Sequence, residues 1–131
     1  MDIRLYTDAD LELFNDWREA HKSVRMYDGS LPETGLVVQK EGQDIAIGFL
    51  VRTDTNICIL CYPVVNPKVH RDVRKVALDY LVKAAIEWVE LSDFEILYTW
   101  SGMPLQVKRL ESNGFSVYDT NVTHLFRCKN E

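Results

Sequence analysis

The segment 57–88, ICILCYPVVNPKVHRDVRKVALDYLVKAAIEW, decides the fold of this chain. Its beginning, Ile57 to Val65, is almost entirely apolar, which is typical of a strand covered on both faces. After a break at Asn66-Pro67, apolar residues recur at spacings of three and four, the pattern of an amphipathic helix. They are Val73, Val76, Ala77, Tyr80, Leu81, Ala84, Ala85 and Trp88. A buried strand followed by a long helix predicts a domain that mixes sheet and helices.

The residues before this segment predict a strand, a helix and two more strands. The first strand is Ile3 to Tyr6, and Thr7 is a candidate N-cap for the helix that follows. The apolar stripe of that helix consists of Leu13, Phe14, Trp17, Ala20, His21 and Val24. A loop at 25–34 leads to strands at 35–40 and 44–53, joined by a tight turn at Glu41-Gly42-Gln43.

The residues after the segment predict a strand at 94–100 and a short helix from Pro104 to Asn113, stopped by Gly114. Ser116 to Asp119 and Val122 to Arg127 predict a closing hairpin. The predicted fold class is α/β in the α+β sense, with a mostly antiparallel central sheet of six to seven strands flanked by three to four helices. We expect one domain spanning residues 1–131.

Composition and charge narrow the function classes. The chain has 131 residues, of which 47% are hydrophobic and 27% charged, as expected for a globular domain. A formal net charge of −5 gives no general attraction to nucleic acid or anionic membranes. No apolar run approaches the ~20 residues of a membrane span, and the N-terminus lacks the pattern of a signal peptide. The sequence therefore predicts a cytoplasmic protein with no nucleic-acid or membrane partner.

Cysteine and histidine give no metal site in the sequence. Cys58 and Cys61 form a C-x-x-C, but positions three apart on a strand point to opposite faces. No second C-x-x-C or H-x₃-H completes a ligand set. We interpret both cysteines as buried thiols, and His21 as a helix-surface or core histidine.

Three motifs, taken in order, resemble the GCN5-related N-acetyltransferase (GNAT) family over nearly the whole chain. Ile47-Gly48-Phe49-Leu50 is similar to the hydrophobic-Gly-hydrophobic third strand of that family. Pro63-Val64-Val65-Asn66-Pro67 resembles its V-x-P step from the fourth strand to the cofactor helix. Leu110-Glu111-Ser112-Asn113-Gly114-Phe115 is similar to the end of its short helix. The resemblance implies a GNAT-like fold and acetyl-CoA as cosubstrate.

The resemblance also implies where acetyl-CoA binds. In the family the fourth and fifth strands splay apart, and the pantetheine arm pairs with fourth-strand backbone, here Tyr62 to Val65 and chiefly Val64 and Val65. The pyrophosphate lies at the start of the long helix, where helix N–H groups and the dipole favour anions. The family loop Gln/Arg-x-x-Gly-x-Gly/Ala corresponds to 70–75 or 71–76, and neither register contains a glycine.

Four cationic side chains, His70, Arg71, Arg74 and Lys75, cluster at this helix start. Cations at a helix N-terminus oppose the dipole, which indicates either an anion-binding site or a solvated first turn in which Asp72 is cap and partner.

The candidate catalytic residues are two tyrosines. The tyrosine that often protonates the CoA thiolate in the family corresponds to Leu110, and no carboxylate lies on strand 57–65. Tyr62 and Tyr98 are the candidates for general acid or base, against the alternative of core or groove packing. The expected reaction is direct attack of a primary amine, on a small molecule or a protein, on the thioester. We expect the acceptor to approach over the 25–34 loop.

The alternative is a catalytically inactive GNAT-fold protein that serves as a binding or structural module. Small degenerate members resembling this chain also occur in bacteriophage genomes. Such a module would act in a homodimer or a larger protein assembly, with a contact surface formed by Leu31, Met103 and Leu105.

Overall fold

The structure, a computed structural model, describes residues 1–129 and contains within them five strands and three α-helices. In chain order they are β1 (Asp2–Leu5), α1 (Leu11–Ala20), β2 (Thr34–Lys40), β3 (Gln43–Arg52), β4 (Ile57–Val65), α2 (Arg71–Glu90), β5 (Ile96–Tyr98) and α3 (Pro104–Ser112). Single 3₁₀ turns lie at Asp8–Asp10 and Asp28–Ser30. The chain divides into a first unit, Met1–Ser101, and a second unit that begins at Gly102.

The sheet belongs to the first unit and has the strand order β1-β2-β3-β4-β5. Its first three pairs are antiparallel, and β4 and β5 are parallel because α2 crosses over between them. The turn between β2 and β3 has positive φ at both Glu41 (51°) and Gly42 (79°), as a two-residue hairpin loop requires. The α+β class is confirmed, with five strands where six to seven were expected.

Two helices pack on opposite faces of this sheet. The α1 face is a buried cluster of Phe14, Trp17, Val37, Ile47, Phe49, Cys61 and Val64. On the α2 face, a Cβ built at Gly48 would lie 2.8 Å from Cδ2 of Leu81, so helix and sheet approach each other closely there. The predicted stripe of α2 is largely buried, except that Val76 is exposed.

A glycine on the α1 face of β2 leads to our first prediction. Gly35→Ala is expected to lower the free energy of unfolding by about 1–3 kcal/mol, because the new methyl group overpacks the α1 face. Its Cβ would lie 2.5 Å from Cβ of Tyr6 and 2.8 Å from the Phe49 ring, and neither is a flexible chain end. Urea denaturation midpoints measure the effect. The matched control is Gly29→Ala, which has no neighbouring atom within 4 Å; equal stability of the two variants would contradict the prediction.

α1 begins and ends through specific hydrogen bonds. Thr7 starts the 3₁₀ turn that precedes α1, and its N–H donates to Oδ2 of Asp10 at 2.8 Å. At the other end the amides of Lys22 and Ser23 donate to the carbonyls of Glu19 (2.9 Å) and Arg18 (2.8 Å), with Lys22 left-handed at φ 63°. This is a Schellman motif, and it ends the helix at Ala20. The apolar stripe was therefore predicted too long, and Val24 is exposed beyond it.

The second unit confirms one prediction and contradicts another. Its helix α3 begins at Pro104, and Gly114 follows it with φ 90°, as expected for a helix stop. The predicted closing hairpin is wrong for the described residues, since no strand follows α3 up to residue 129. Its apolar side chains are instead exposed: Val117, Tyr118, Val122, Leu125 and Phe126. Alternating apolar residues favour strands, but a hairpin also needs a further strand to pair with, and the pattern does not show whether one is present.

The interpretation of the cysteines is confirmed. Cys58 and Cys61 are both buried free thiols. Burial raises the pKa of the Cys61 thiol to about 12 and also raises that of Cys58. Within residues 1–129, no group of three or more His, Cys, Asp or Glu side chains is arranged to hold a metal ion.

The remaining expectations concern surface residues and membrane spans. Leu31 was expected at the surface, but it is half-buried and packs against the α1-face cluster. Met103 and Leu105 are exposed as expected. Among the described helices, none combines the length and apolarity needed to cross a bilayer.

Candidate functional site

β4 continues past the end of its pairing with β5, and we call the space beside this part of β4 the cleft. The two strands pair over only three positions, and the last pair joins Ile59 to Tyr98. One further bond, from Oγ1 of Thr99 to the carbonyl of Leu60 (2.8 Å), continues the contact. β4 then runs on to Val65 with no neighbouring strand on this side among the described residues. The end of β4 therefore has a backbone edge to which no strand is paired.

A β-bulge lies at this point of β4. Between Val64 and Cys61, two residues, Tyr62 and Pro63, face the single residue Gly48 of β3. Tyr62 has φ 52°, in the left-handed region, and Pro63 has no N–H to donate to a ladder. Such bulges bend a strand and increase its twist, and this one occurs where β4 turns away from β5.

The backbone of Val65 faces the cleft. The N–H of Asn66 donates to the carbonyl of Ile45 at 2.7 Å, and Ala46 lies opposite Val65. Val65 therefore occupies a non-hydrogen-bonded position of the antiparallel pair, in which its own N–H and C=O point away from β3. Its carbonyl oxygen is 3.0 Å from Nε2 of His21, at the end of α1.

The turn after β4 is fixed by Asn66. Its Oδ1 accepts the N–H of Lys68 at 3.0 Å, and its Nδ2 donates to the carbonyl of Asp44 at 3.1 Å. These bonds attach the turn to the start of β3. The first turn of α2 consequently follows the end of β4 after this short, fixed turn.

The start of α2 offers bare peptide N–H groups. His70 is the N-cap, and its Nδ1 accepts the N–H of Asp72 at 3.1 Å, while the amide of Arg74 bonds to the His70 carbonyl at 3.1 Å. Among the described residues, the amides of Arg71 and Val73 have no hydrogen-bond partner. Unpaired amides at the positive end of a long helix are suited to a phosphate.

The cationic cluster lies at this helix start. His70, Arg71 and Lys75 are exposed and Arg74 is half-buried. The expectation that Asp72 caps the helix is wrong, since His70 takes that position; the Asp72 carboxylate lies 3.7 Å from Nδ1 of His70. The charges and bare amides fit a diphosphate.

Side-chain bulk at the helix start departs from the family pattern. Val73 and Lys75 stand at the positions of its small loop residues in one of the two registers. Val73 is half-buried, whereas Lys75 is exposed. The valine therefore limits how closely a ligand can approach the backbone.

The two candidate tyrosines lie on the α1 face of the sheet, but in different surroundings. Tyr62 packs against the α1-face cluster, with the Arg18 guanidinium 5.8 Å from its ring centroid. Tyr98 lies opposite Ile59, whose side chain packs on the same face. Tyr98 is 47% exposed, and its ring centroid is 6.4 Å from that of Trp100. Tyr98 is thus the more exposed of the two tyrosines.

Two surface cavities are lined in part by the loop that follows α1. The larger, of about 460 Å³, lies between the beginning of α1 and residues 24–27. The smaller, of about 190 Å³, lies between Tyr6 and residues 31–33. Both therefore involve the 25–34 loop that was expected to receive the acceptor.

Sequence reasoning missed His21 as a neighbour of the β4 edge. Its position on an apolar stripe indicated a helix-surface or core residue, and nothing in the spacing connects it with a carbonyl 44 residues away. The only signal was indirect, because a histidine near a helix end can reach a neighbouring backbone acceptor.

Comparisons with known proteins identify the fold. No protein-family model and no curated protein sequence matches the chain. A solved structure described as a probable acetyltransferase is similar over 100% of both chains, at 15% identity and a TM-score of 0.70. An acetyltransferase of the GNAT family from Streptococcus pneumoniae matches over 99% of this chain and 98% of its own, at 14% identity and a TM-score of 0.64. The aminoglycoside N-acetyltransferase AAC(6')-Iy in complex with CoA matches over 97% of this chain and 100% of its own, at 17% identity and a TM-score of 0.62. This chain has the fold of the GCN5-related N-acetyltransferases.

Proposed function

We propose that this protein transfers an acetyl group from acetyl-CoA to a primary amine. The observation that carries the proposal is the end of β4, which faces the cleft without a partner strand and leads to two bare amides at the start of α2. An extended chain with amide groups can pair along the former while its diphosphate binds the latter. The CoA complex of a structural neighbour with the same fold supports this class of ligand.

In this proposal the pantetheine arm lies along the end of β4 and pairs with the backbone of Val65, while the backbone of Val64 is directed towards Ile47 of β3. The amides of Arg71 and Val73 bind the diphosphate, and the side chains of Arg71, Arg74 and Lys75 add positive charge around it, while His70 caps the helix as a neutral imidazole. Arg71 can form bidentate bonds to phosphate oxygens. The diphosphate would then offset the unfavourable placement of these cations at a helix N-terminus.

The chemistry requires little from side chains. The neutral amine nitrogen attacks the thioester carbon, a C–N bond forms, the C–S bond breaks, and CoA leaves as the thiolate. The proton lost by the amine nitrogen reaches the thiolate through water or through the hydroxyl of Tyr98. Because alignment of amine and thioester supplies most of the rate acceleration, the absence of a carboxylate on β4 is compatible with turnover.

Ligand-induced stabilisation tests the proposal. Acetyl-CoA at about one hundred times its Kd should raise the free energy of unfolding by about 2.7 kcal/mol. For a domain of this size, that corresponds to a rise in Tm of roughly 10 °C. Arg71→Ala combined with Arg74→Ala should weaken binding by about 10- to 100-fold, since each lost charged contact contributes on the order of 1 kcal/mol. Lys40→Ala with Lys129→Ala changes the net charge equally and should leave binding unaltered.

Two results would decide against this function. The first is the absence of any Tm shift with millimolar acetyl-CoA. The second is equal weakening in the two double variants, which would show that net charge rather than the α2 start attracts the ligand.

A non-catalytic binding module is the second candidate. It is favoured by the half-buried Val73 at a position where the family has a small residue, and by Leu110 at the position of the tyrosine that often protonates the thiolate. A protein that binds CoA but releases no thiol in the presence of a panel of amines would fit this candidate.

A further inference from the structure

The contact between His21 and Val65 lies at the place where the proposed ligand would bind. The Val65 carbonyl is a backbone acceptor of β4 that points into the cleft, and Nε2 of His21 already lies 3.0 Å from it. Since a carbonyl can only accept, the imidazole must donate through an Nε2–H. The side chain thus occupies part of the edge that an extended ligand would use.

The imidazole is held at this position by the end of α1. His21 is the C-cap of the helix, and its amide bonds to the carbonyls of Trp17 and Arg18, at 3.2 and 3.1 Å. The Schellman motif at Lys22 and Ser23 completes this end. Because the backbone around His21 is fixed by these bonds, its side chain reaches β4 from a rigid base.

An arm that pairs with β4 would place one of its amide N–H groups against a cleft-facing carbonyl. The carbonyl of Val65 lies two residues after Pro63 and just before the turn to α2, in the part of the edge nearest to the bare amides. The N–H of Val65 points to the same side and carries no such contact from His21. The two polar groups of this residue are therefore unequally available to a ligand.

We propose that His21 is a positioning residue that competes with the ligand's amide for the Val65 carbonyl and so limits how the arm pairs with β4. This inference rests on the proposed function, because it concerns the same edge and a ligand with amide donors. In this inference α1 not only packs on the sheet but also affects, through His21 at its end, which ligands can pair with β4. The effect has a defined sign: removal of the imidazole should strengthen binding.

Calorimetric titration with acetyl-CoA tests the sign. His21→Ala frees the carbonyl and should tighten binding by about two- to tenfold, the range of one typical hydrogen bond. His21→Gln retains an amide donor and should restore the wild-type affinity. His124→Ala removes an exposed histidine from the second unit and should bind as the wild type does. If His21→Ala does not fold, His21→Phe removes the donor while keeping a ring, and the same tightening is expected.

The outcomes separate this inference from the function on which it rests. Tighter binding by the alanine or phenylalanine variant supports it, including the case in which only such a variant shows measurable binding. Unchanged or weaker binding by these variants, with a wild-type protein that binds, overturns the role of His21 and leaves the proposed function standing. If neither the wild type nor the variants bind, both proposals fall.

Discussion

Phe49→Ala is expected to lower the free energy of unfolding by about 3–5 kcal/mol, a large part of the stability of a small domain. Phe49 is fully buried at the centre of the α1 face. Its ring meets those of Tyr6 and Phe14 edge-on, with centroids 4.7 and 5.2 Å away. The substitution removes these contacts and leaves a cavity between sheet and helix that the surrounding strands cannot fill.

Equilibrium urea denaturation followed by tryptophan fluorescence measures this loss. Phe126→Ala deletes the same atoms from a side chain that is 93% exposed, and should change stability by no more than about 0.5 kcal/mol. Phe49→Leu should fall between the two because it keeps part of the buried volume. Similar losses in the free energy of unfolding for Phe49→Ala and Phe126→Ala would contradict the assignment of Phe49 to the core.

The second large effect is expected for Arg4→Met, which should lower the free energy of unfolding by about 2–3 kcal/mol near neutral pH. Arg4 donates two bonds of 2.8 Å to the carboxylate of Asp10 and two, of 3.3 and 3.0 Å, to that of Asp44. The Asp10 side chain is only 12% exposed, so losing its cation leaves a largely buried charge uncompensated. Because the Arg4 side chain is 30% exposed, we expect less than the loss typical of a fully buried pair.

The pH dependence of Arg4→Met follows from the same contact. The hydrogen bonds from Arg4 lower the pKa of Asp10 below its usual value. A carboxyl group with a depressed folded-state pKa stabilises the fold above its unfolded pKa, about 4, and loses that contribution as the pH falls further. The stability difference between wild type and Arg4→Met should therefore shrink below about pH 4.

Denaturation series at pH 7 and pH 3 measure this change. Lys83→Met, which removes a surface pair with Asp79, is the control and should cost at most about 0.5 kcal/mol at either pH. A difference between wild type and Arg4→Met that stays constant over this range would be inconsistent with a role for Asp10.

The elements with a strong local pattern could be predicted from the sequence. β4 has the predicted limits, and α2 contains the whole predicted stripe. Gly48 was recognised as part of a family motif, and the structure gives its physical reason in the contact with Leu81. The turn at Glu41-Gly42 followed from the conformational freedom of glycine.

The elements that depend on partners distant in sequence were predicted less well. β5 was predicted over 94–100 but extends only over Ile96–Tyr98, since its pairing with β4 ends at Tyr98, before the bulge at Tyr62. Apolar alternation cannot show where a neighbouring strand departs. The end of α1 at Ala20 was missed because Lys22, rather than glycine, adopts the left-handed conformation there.

The candidate site was predicted only in part, again because some of its contacts join residues that are distant in sequence. The sequence placed the cations at the helix start and the apolar edge before it, and both lie where expected. The roles of Tyr62, Tyr98, Val64, Val65, His70, Arg71, Arg74 and Lys75 in binding or catalysis stay predictions. The contact of His21 with β4 depends on the crossing of α1 over the sheet, which no local pattern encodes.

The parallel pairing of β5 with β4 has a consequence for the order in which the molecule acquires its parts. The hydrogen bond from Asn56 to Glu95 beside this pair closes a chain separation of 39 residues, whereas short turns join β2 to β3 and β3 to β4. Long-range closures carry a larger entropic cost, so the hairpins should form before β5 docks. The cleft beside β4 therefore forms only at a late stage of folding, when β5 docks. Because only three residue pairs hold β5 to β4, this edge of the sheet should also be the first to open.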